Sequence, residues 1–355
     1  MSGLDDDSPR TGIDAGRRDR ARGALWGLAL GDALGMPTQS FSREQIRERF
    51  GRITALADAP DDQPIAPGML AGSVTDDTEQ ALLVGRLLVE GRGRIDPLRF
   101  ASALIDWEAE MIRRGSRDLL GPSTKAALTR LQEGAPPEET GRYGTTNGAG
   151  MRIAPVGVAV APGPALQDAV VQACQVTHAT GLGISGATAV AFAVSSAIDG
   201  ADAAAAVAAG VAAAEHAQAL GSWVAGASIP ARYRALRPLV RASADDHAFT
   251  DVLYDVVGTS VQSQESVVSA LLIVDRFADR PFDALCTAAS LGGDTDTIGA
   301  MAGAILGALH GADGLPAEAL AALDRANPGM HDEIETLADE LLDLRDDPPA
   351  AAADA

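Results

Sequence analysis

GALWGLALGDALG occupies residues 23–35 and GAMAGAILGALHG residues 299–311. Glycine returns every fourth position in both: Gly23, Gly27, Gly31 and Gly35 in the first, Gly299, Gly303, Gly307 and Gly311 in the second. A spacing of four keeps these positions near one face of a helix. Each interior glycine costs about 0.5–1 kcal/mol against alanine. A stripe of them has to return something, and close approach of two backbones is the return the pattern suggests. The two helices are expected at the crowded centre of the molecule, against each other. Compositional bias in an alanine-rich chain is the competing explanation.

The rest of the chain agrees with helices. It has 355 residues, 46% hydrophobic and 22% charged, with only 4% aromatic. That is the balance of a soluble globular protein, and alanine and leucine outweigh β-branched runs. Helical periodicity is read at 77–90, 97–113, 122–133, 164–177, 187–198, 201–220, 252–258, 267–277 and 316–325, several opening on proline. No alternating strands compete, so the fold class is all-α, a single multi-helix domain. Residues 1–18 and 346–355 are expected to be disordered tails around a domain at 19–345. Residues 179–198 carry no charge and match a membrane span in length. They are mostly Gly, Ala, Ser and Thr, with Gly181, Gly183 and Gly186 early. The reading is a turn followed by a buried helix, with no membrane partner.

The net charge is −21, from 28 basic and 49 acidic residues, and Lys125 is the sole lysine. Such a field repels nucleic acid and anionic membranes. An anionic substrate would need a local device, a bound metal or helix N-termini, to reverse it. Cys174 and Cys286 lie far apart without metal-ligand spacing, so buried thiols in a reducing compartment are expected. The N-terminus shows no apolar signal-peptide core. These features lead to an expected cytoplasmic location.

Two acidic clusters carry the chemistry. Ser73-Val74-Thr75-Asp76-Asp77-Thr78 ends an irregular stretch and opens an apolar helix. Gly292-Gly293-Asp294-Thr295-Asp296-Thr297 opens the second glycine-striped helix. Capping explains one or two such side chains per helix, but each cluster offers two aspartates and two threonines. Neighbouring like charges are easier to hold with a cation between them. All the candidate donors are oxygens, which select Mg²⁺, Mn²⁺ or Ca²⁺ over zinc or copper. Four carboxylates at two helix starts suffice for two ions, a recurring hydrolytic arrangement.

GALWGLALGDALG, SVTDDTEQALL, NGAGMRIAPVG, VTHAT and GGDTDTIGAMAGAILGALHG, in this order over about residues 20–312, resemble the ADP-ribosylglycohydrolase family. The resemblance implies an all-α fold with two divalent metal ions, Mg²⁺ or Mn²⁺. It implies Thr75, Asp76, Asp77, Asp294, Asp296 and Thr297 as metal ligands. The implied reaction is hydrolysis of the glycosidic bond of an ADP-ribosyl group, on a protein or a small molecule, by a metal-activated water. Asp76, Asp77 or Asp294 would accept its proton. Another N-glycoside or nucleoside-like substrate, or a non-catalytic member of the fold, are the alternatives.

Thr145-Thr146-Asn147-Gly148-Ala149-Gly150 is a glycine-rich loop of the kind that presents N–H groups to phosphate. The resemblance lays Asn147 and Gly148 along the ADP-ribose and His178 in the substrate cleft. Gly121-Pro122-Ser123-Thr124-Lys125 is either an anion site, with Ser123 a substrate contact, or ordinary capping. Gly292 and Gly293 are further candidate substrate contacts. Gln39 departs from the family, many of whose members have glutamate at this position. A neutral amide is neither a general base nor a charged ligand, which puts acceptor-specific chemistry in doubt. Asp32 is left between a supporting role and a plain helix position.

Overall fold

The computed structural model describes residues 14–116 and 120–347. The chain begins with α1 (Ala15–Gly35), α2 (Arg43–Phe50), α3 (Asp76–Glu90), α4 (Pro97–Arg114) and α5 (Pro122–Gln132). Three short helices follow, α6 (Pro137–Thr140), α7 (Gly148–Met151) and α8 (Ala154–Ala159), then α9 (Pro164–His178), α10 (Gly181–Ile198) and α11 (Ala203–Ala217). Next are α12 (Ile229–Arg241), α13 (Asp246–Val252) with a π-helical turn at Leu253–Val257, α14 (Ser263–Arg276) and α15 (Pro281–Ala289). The last are α16 (Thr295–His310), α17 (Ala317–Ala326) and α18 (Met330–Asp346). Among the described residues β-pairing is limited to two isolated bridges, Thr146 with Gln262 and Thr180 with Ser222. The all-α expectation is met.

The glycine stripes face each other, antiparallel, along α1 and α16. A Cβ on Gly23 would lie 2.2 Å from the carbonyl oxygen of Gly307, one on Gly27 2.2 Å from that of Gly303, and one on Gly31 2.0 Å from that of Gly299. The reverse additions fail equally, with Gly303 2.0 Å from Gly27 O and Gly307 1.8 Å from Gly23 O. The obstacles are backbone atoms, which have no rotamer to yield. The repeat is therefore steric necessity, and composition does not explain it. Continuing the register, Gly35 abuts the backbone of Thr295 and Asp296. The packing thereby fixes where α16 begins relative to the end of α1.

Several boundaries differ from the sequence reading. α1 starts at Ala15, with Asp14 accepting from Gly16 N, so residues 15–18 are helical. α18 runs through Asp346. The rest of both expected tails, residues 1–13 and 348–355, lies outside the described residues. The expected turn at Gly181–Gly186 is instead the first part of α10, capped by the Thr180 hydroxyl accepting from Gly183 N at 3.0 Å. Its glycines serve close packing: a Cβ at Gly181 would meet Gln218 O at 2.5 Å, and one at Gly183 would meet His178 O at 2.5 Å. α10 is long and apolar enough to cross a membrane, yet 94% of it is buried inside the protein. Helices α2, α12, α15 and α18 were not anticipated. α2 had a sequence signal, since Ser42 and Gln45 form a capping box.

Gly303→Leu is expected to destabilise the protein by about 3 kcal/mol or more, from overpacking against an unyielding backbone. Gly303→Ala should also destabilise, although helix propensity alone predicts a gain of about 1 kcal/mol. Denaturant unfolding checks this; an alanine variant as stable as the parent would contradict the observed contact.

Candidate active site

Both acidic clusters are placed by α1. Asp32, fully buried near its end, reaches the start of α3. Its carboxylate accepts from Thr75 N at 3.0 Å, Thr78 N at 3.2 Å, and the Thr75 and Thr78 hydroxyls at 2.8 and 2.5 Å. Thr75 makes no side-chain cap of its own. α3 is thus capped by a carboxylate from another helix, which gives Asp32 its role. Burial pushes the Asp32 pKa up to about 6, against the pull of these hydrogen bonds. On the other side, Thr295 Oγ1 donates to Gly35 O at 3.0 Å and seats the first turn of α16.

The clusters meet at Asp77. Its Oδ2 accepts from Thr297 Oγ1 at 3.2 Å and lies 3.3 Å from Thr75 Oγ1. Its Oδ1 is buried without a hydrogen-bond partner. Burial, then the nearby carboxylates of Asp296, Asp76, Asp32 and Asp294, hold the Asp77 pKa well above the usual carboxylate range. Asp294, at the N-cap of α16, accepts from Asn147 Nδ2 at 2.5 Å. Burial pushes its pKa up to about 6 while hydrogen bonds from Asn147 and Thr297 oppose that. Asp296 is buried beside them.

This donor set fits a hard divalent cation. It is all oxygen, it is rich in mutual repulsion, and it holds an orphaned buried carboxylate oxygen. Among the described residues no three histidine, cysteine or acidic side chains already converge as a closed ligand set. Thr75, Asp76, Asp77, Asp294, Asp296 and Thr297 would have to draw in on a cation, whose positive charge would offset their mutual repulsion.

The glycine-rich loop lies beside the clusters. Asn147 N donates to Val261 O at 2.9 Å, and Asn147 Nδ2 reaches Ser266 Oγ at 2.9 Å as well as Asp294. Ser123 joins the loop by a long contact of 3.4 Å from Thr146 N. Lys125 does not, since it pairs with Glu108 at 3.2 Å. His178 departs from its expected place in the cleft. It is fully buried, with Nδ1 2.8 Å from Thr177 Oγ1 and Nε2 3.0 Å from Thr146 Oγ1. It backs the loop, and its Cε1 lies 2.9 Å from where a Gly148 Cβ would stand. Burial, and then Arg152, keep its pKa well below the ordinary value, so it is neutral. Gly292 and Gly293 have φ of +89° and +82°, and a Cβ on Gly293 would lie 2.3 Å from Thr259 O. Their observed role is loop shape. Gln39 is buried with its Nε2 unpartnered, while its backbone carbonyl accepts from Gln63 Nε2 at 2.9 Å.

A cavity of about 330 Å³ opens beside Thr75 and Asp76, walled by Ile65, Pro67, Met69, Trp107 and Met111. Glu79 faces it, its pKa raised by burial and its carboxylate accepting from Trp107 Nε1 at 2.5 Å. The sequence reading also missed Gln80, Arg152 and Thr177, all buried. Gln80 had a signal, standing one helical turn after Asp76. Arg152 had another, as the lone charge in an otherwise apolar run.

A family model described as ADP-ribosylglycohydrolase matches residues 14–351. The chain belongs to the ADP-ribosylglycohydrolase family and is a hydrolase. It is 36% identical over 316 residues to protein YegU of Escherichia coli (strain K12), covering 88% of this chain and 93% of that one. It is 28% identical to the ADP-ribosyl-[dinitrogen reductase] glycohydrolase of Rhodospirillum rubrum, covering 92% and 96%. A solved structure titled ADP-ribosylglycohydrolase-related protein complex matches with a TM-score of 0.65 at 26% identity, covering 92% of this chain and 98% of that one.

The raised Asp77 pKa has a stability consequence. The folded chain keeps a proton on Asp77 that the unfolded chain releases near pH 4, about the ordinary aspartate value. Its penalty on the metal-free fold therefore grows as pH rises through the window between that value and the raised one. Asp77→Asn should be more stable than the parent at neutral pH in chelator, and the gain should vanish toward about pH 4. Denaturant unfolding across this range tests it; a loss of stability equal at every pH would contradict the electrostatic account.

Proposed function

We propose that this hydrolase cleaves the glycosidic bond at the anomeric carbon of an ADP-ribosyl group, using two divalent cations, Mg²⁺ or Mn²⁺, between the starts of α3 and α16. The observation that carries the reading is Asp77, bonded to threonines of both clusters with a buried oxygen left over. The substrate kind is supported by relatives named for action on ADP-ribosyl groups, including the R. rubrum enzyme and the ADP-ribosylhydrolase ARH3 of Bos taurus. An ADP-ribosylated protein or a small-molecule conjugate would be the partner. Cys174 and Cys286, both free and buried, suit the cytoplasm.

Bound cations would polarise the ribose diol and lower the pKa of a water. Thr75, Asp76, Asp77, Asp294, Asp296 and Thr297 would hold them. Asp76, Asp77 or Asp294 would take the proton of the attacking water, and the raised values at Asp77 and Asp294 bring these carboxylates closer to neutral pH. Asn147, tied to Asp294 and Ser266, would hold the loop against the ADP-ribose with Gly148 and Ser123. His178 would act from behind, by holding Thr146. Gln39 would offer an amide where a glutamate would offer a base.

The direct test incubates purified protein with ADP-ribosylated proteins, ADP-ribose conjugates and simple N-ribosides, in Mg²⁺, Mn²⁺ or chelator. Metal-dependent release of ADP-ribose is expected; turnover of simple ribosides alone would overturn the substrate assignment. Asp296→Asn separates capping from metal binding, because asparagine caps about as well as aspartate. Cation at a hundredfold excess over Kd should stabilise the parent by about 2.7 kcal/mol. That gain should disappear in Asp296→Asn and persist in Asp168→Asn on the exposed face of α9. Gln39→Glu should fold normally and change acceptor preference, and an identical substrate profile would remove Gln39 from the mechanism.

A further inference from the structure

A continuous buried line of hydrogen bonds joins the first acidic cluster to the glycine-rich loop, and an arginine sits at its middle. Gln80 Nε2 donates to Asp76 Oδ2 at 2.9 Å. Arg152 Nη1 donates to Gln80 Oε1 at 2.8 Å, and its Nη2 to Thr177 Oγ1 at 2.5 Å. Thr177 Oγ1 lies 2.8 Å from His178 Nδ1, and His178 Nε2 lies 3.0 Å from Thr146 Oγ1. Gln80, Arg152, Thr177 and His178 are each at most 1% exposed. The guanidinium lies over the Phe100 ring, 4.9 Å from its centre, and Gln80 Oε1 and Thr177 Oγ1, which accept from it, belong to neutral side chains.

We propose that Arg152 is a positioning residue that sets the direction of every hydrogen bond in this line, and so orients both the Asp76 carboxylate and the ligand-binding loop. The argument rests on donor count. A guanidinium has five donors and no acceptor. Gln80 must therefore turn its carbonyl to Arg152 and its amide to Asp76, whose Oδ2 it holds in place. Thr177 Oγ1 is buried with Arg152 and His178 as its hydrogen-bond partners among the described residues, and since Arg152 can only donate, the threonine's own hydrogen is satisfied by His178 Nδ1. The neutral imidazole is then the Nε2–H tautomer and donates to Thr146. Thr146, 8% exposed, accepts that bond and keeps its own hydrogen to offer a ligand beside Asn147. Lysine cannot replace the fork, because a point charge on a flexible stem does not span Gln80 and Thr177 in one plane. The part that concerns metal and ADP-ribose rests on the function proposed above; the tautomer does not.

The test combines NMR of protein carrying ¹⁵N-labelled histidine, five residues in all, with calorimetry of Mg²⁺ or Mn²⁺ binding and of ADP-ribose binding at saturating cation. A His178→Gln variant assigns the resonances. In the parent, His178 should show a protonated Nε2 and an acceptor Nδ1. Supporting residues of this kind change affinity by about tenfold or more. Gln80→Leu should lose that much cation affinity with the His178 resonances unmoved. Thr177→Val should shift Nδ1 and lose about tenfold in ADP-ribose affinity, with cation affinity within about twofold. Arg152→Lys should do both. A parent His178 protonated at Nδ1 would overturn the proposal, as would a folded Arg152→Lys that keeps the His178 resonances and both affinities. If Arg152→Lys does not fold, unchanged affinities in both Gln80→Leu and Thr177→Val overturn it instead. A parent that binds neither cation nor ADP-ribose would instead sink the proposed function, and the His178 tautomer would still decide the polarity.

Discussion

Backbone contact between α1 and α16 is the constraint on which the site depends. Glycine at six facing positions lets carbonyl oxygens of one helix rest where the other would carry a Cβ. Such a contact has almost no freedom of register, because sliding by one residue replaces glycine with a residue that carries a Cβ, such as Leu28 or Ala300, against a backbone. The register runs on to Gly35 and the first turn of α16, so Asp294 and Asp296 are located by packing that extends along the whole helix. From the same helix Asp32 takes hold of α3 through four hydrogen bonds. One helix thus sets the distance between two carboxylate clusters that repulsion alone would drive apart.

That arrangement costs stability. Asp32, Asp77 and Asp294 all have raised pKa values, and in each the largest cause is burial. A buried carboxylate is tolerated when hydrogen bonds answer its lone pairs. Asp32 is answered fully, which suits a structural cap. Asp77 keeps an unanswered oxygen. The same distinction separates the two histidine readings. A ring with both nitrogens engaged and no exposed surface has no capacity left for a ligand, so His178 meets the glycine-rich loop only through Thr146 and its packing on Gly148.

Much of this was legible beforehand. The four-residue glycine repeat foretold the central helix pair because the cost of glycine in a helix demands a steric reason, and the TDDT and GGDTDT clusters, read together in the sequence, do meet in the fold. What escaped the sequence reading depends on contacts between distant segments. Asp32 looks like any polar residue in a helix until α3 is placed against it. Gln80, Arg152 and Thr177 are 25 or more residues apart along the chain and acquire meaning only when their side chains meet. The turn expected at Gly181–Gly186 failed for a related reason. Glycine was read as a local breaker, whereas Gln218 and His178 carbonyls pressing on that face require it inside a helix.

Charge balance gives Gln39 a sharper meaning than a lost base. Asp32 is committed to capping α3, so Asp76, Asp77, Asp294 and Asp296 would be the carboxylates that face the proposed cations. Four negative charges balance two divalent ions, and a glutamate at position 39 would add a fifth. With glutamine, the site as proposed, with two ions bound, would be close to neutral, so an anionic ligand would not meet added local repulsion in a chain of net charge −21. The buried, unpartnered Gln39 Nε2 is also a hydrogen-bond donor, suited to an oxygen and unsuited to a cation. A leaving group that keeps a carbonyl or hydroxyl oxygen near the anomeric carbon satisfies that donor. A guanidinium, which brings only further donors, does not. On the proposed function, acceptor choice would therefore turn on whether Gln39 presents its amide nitrogen or rotates to present its oxygen.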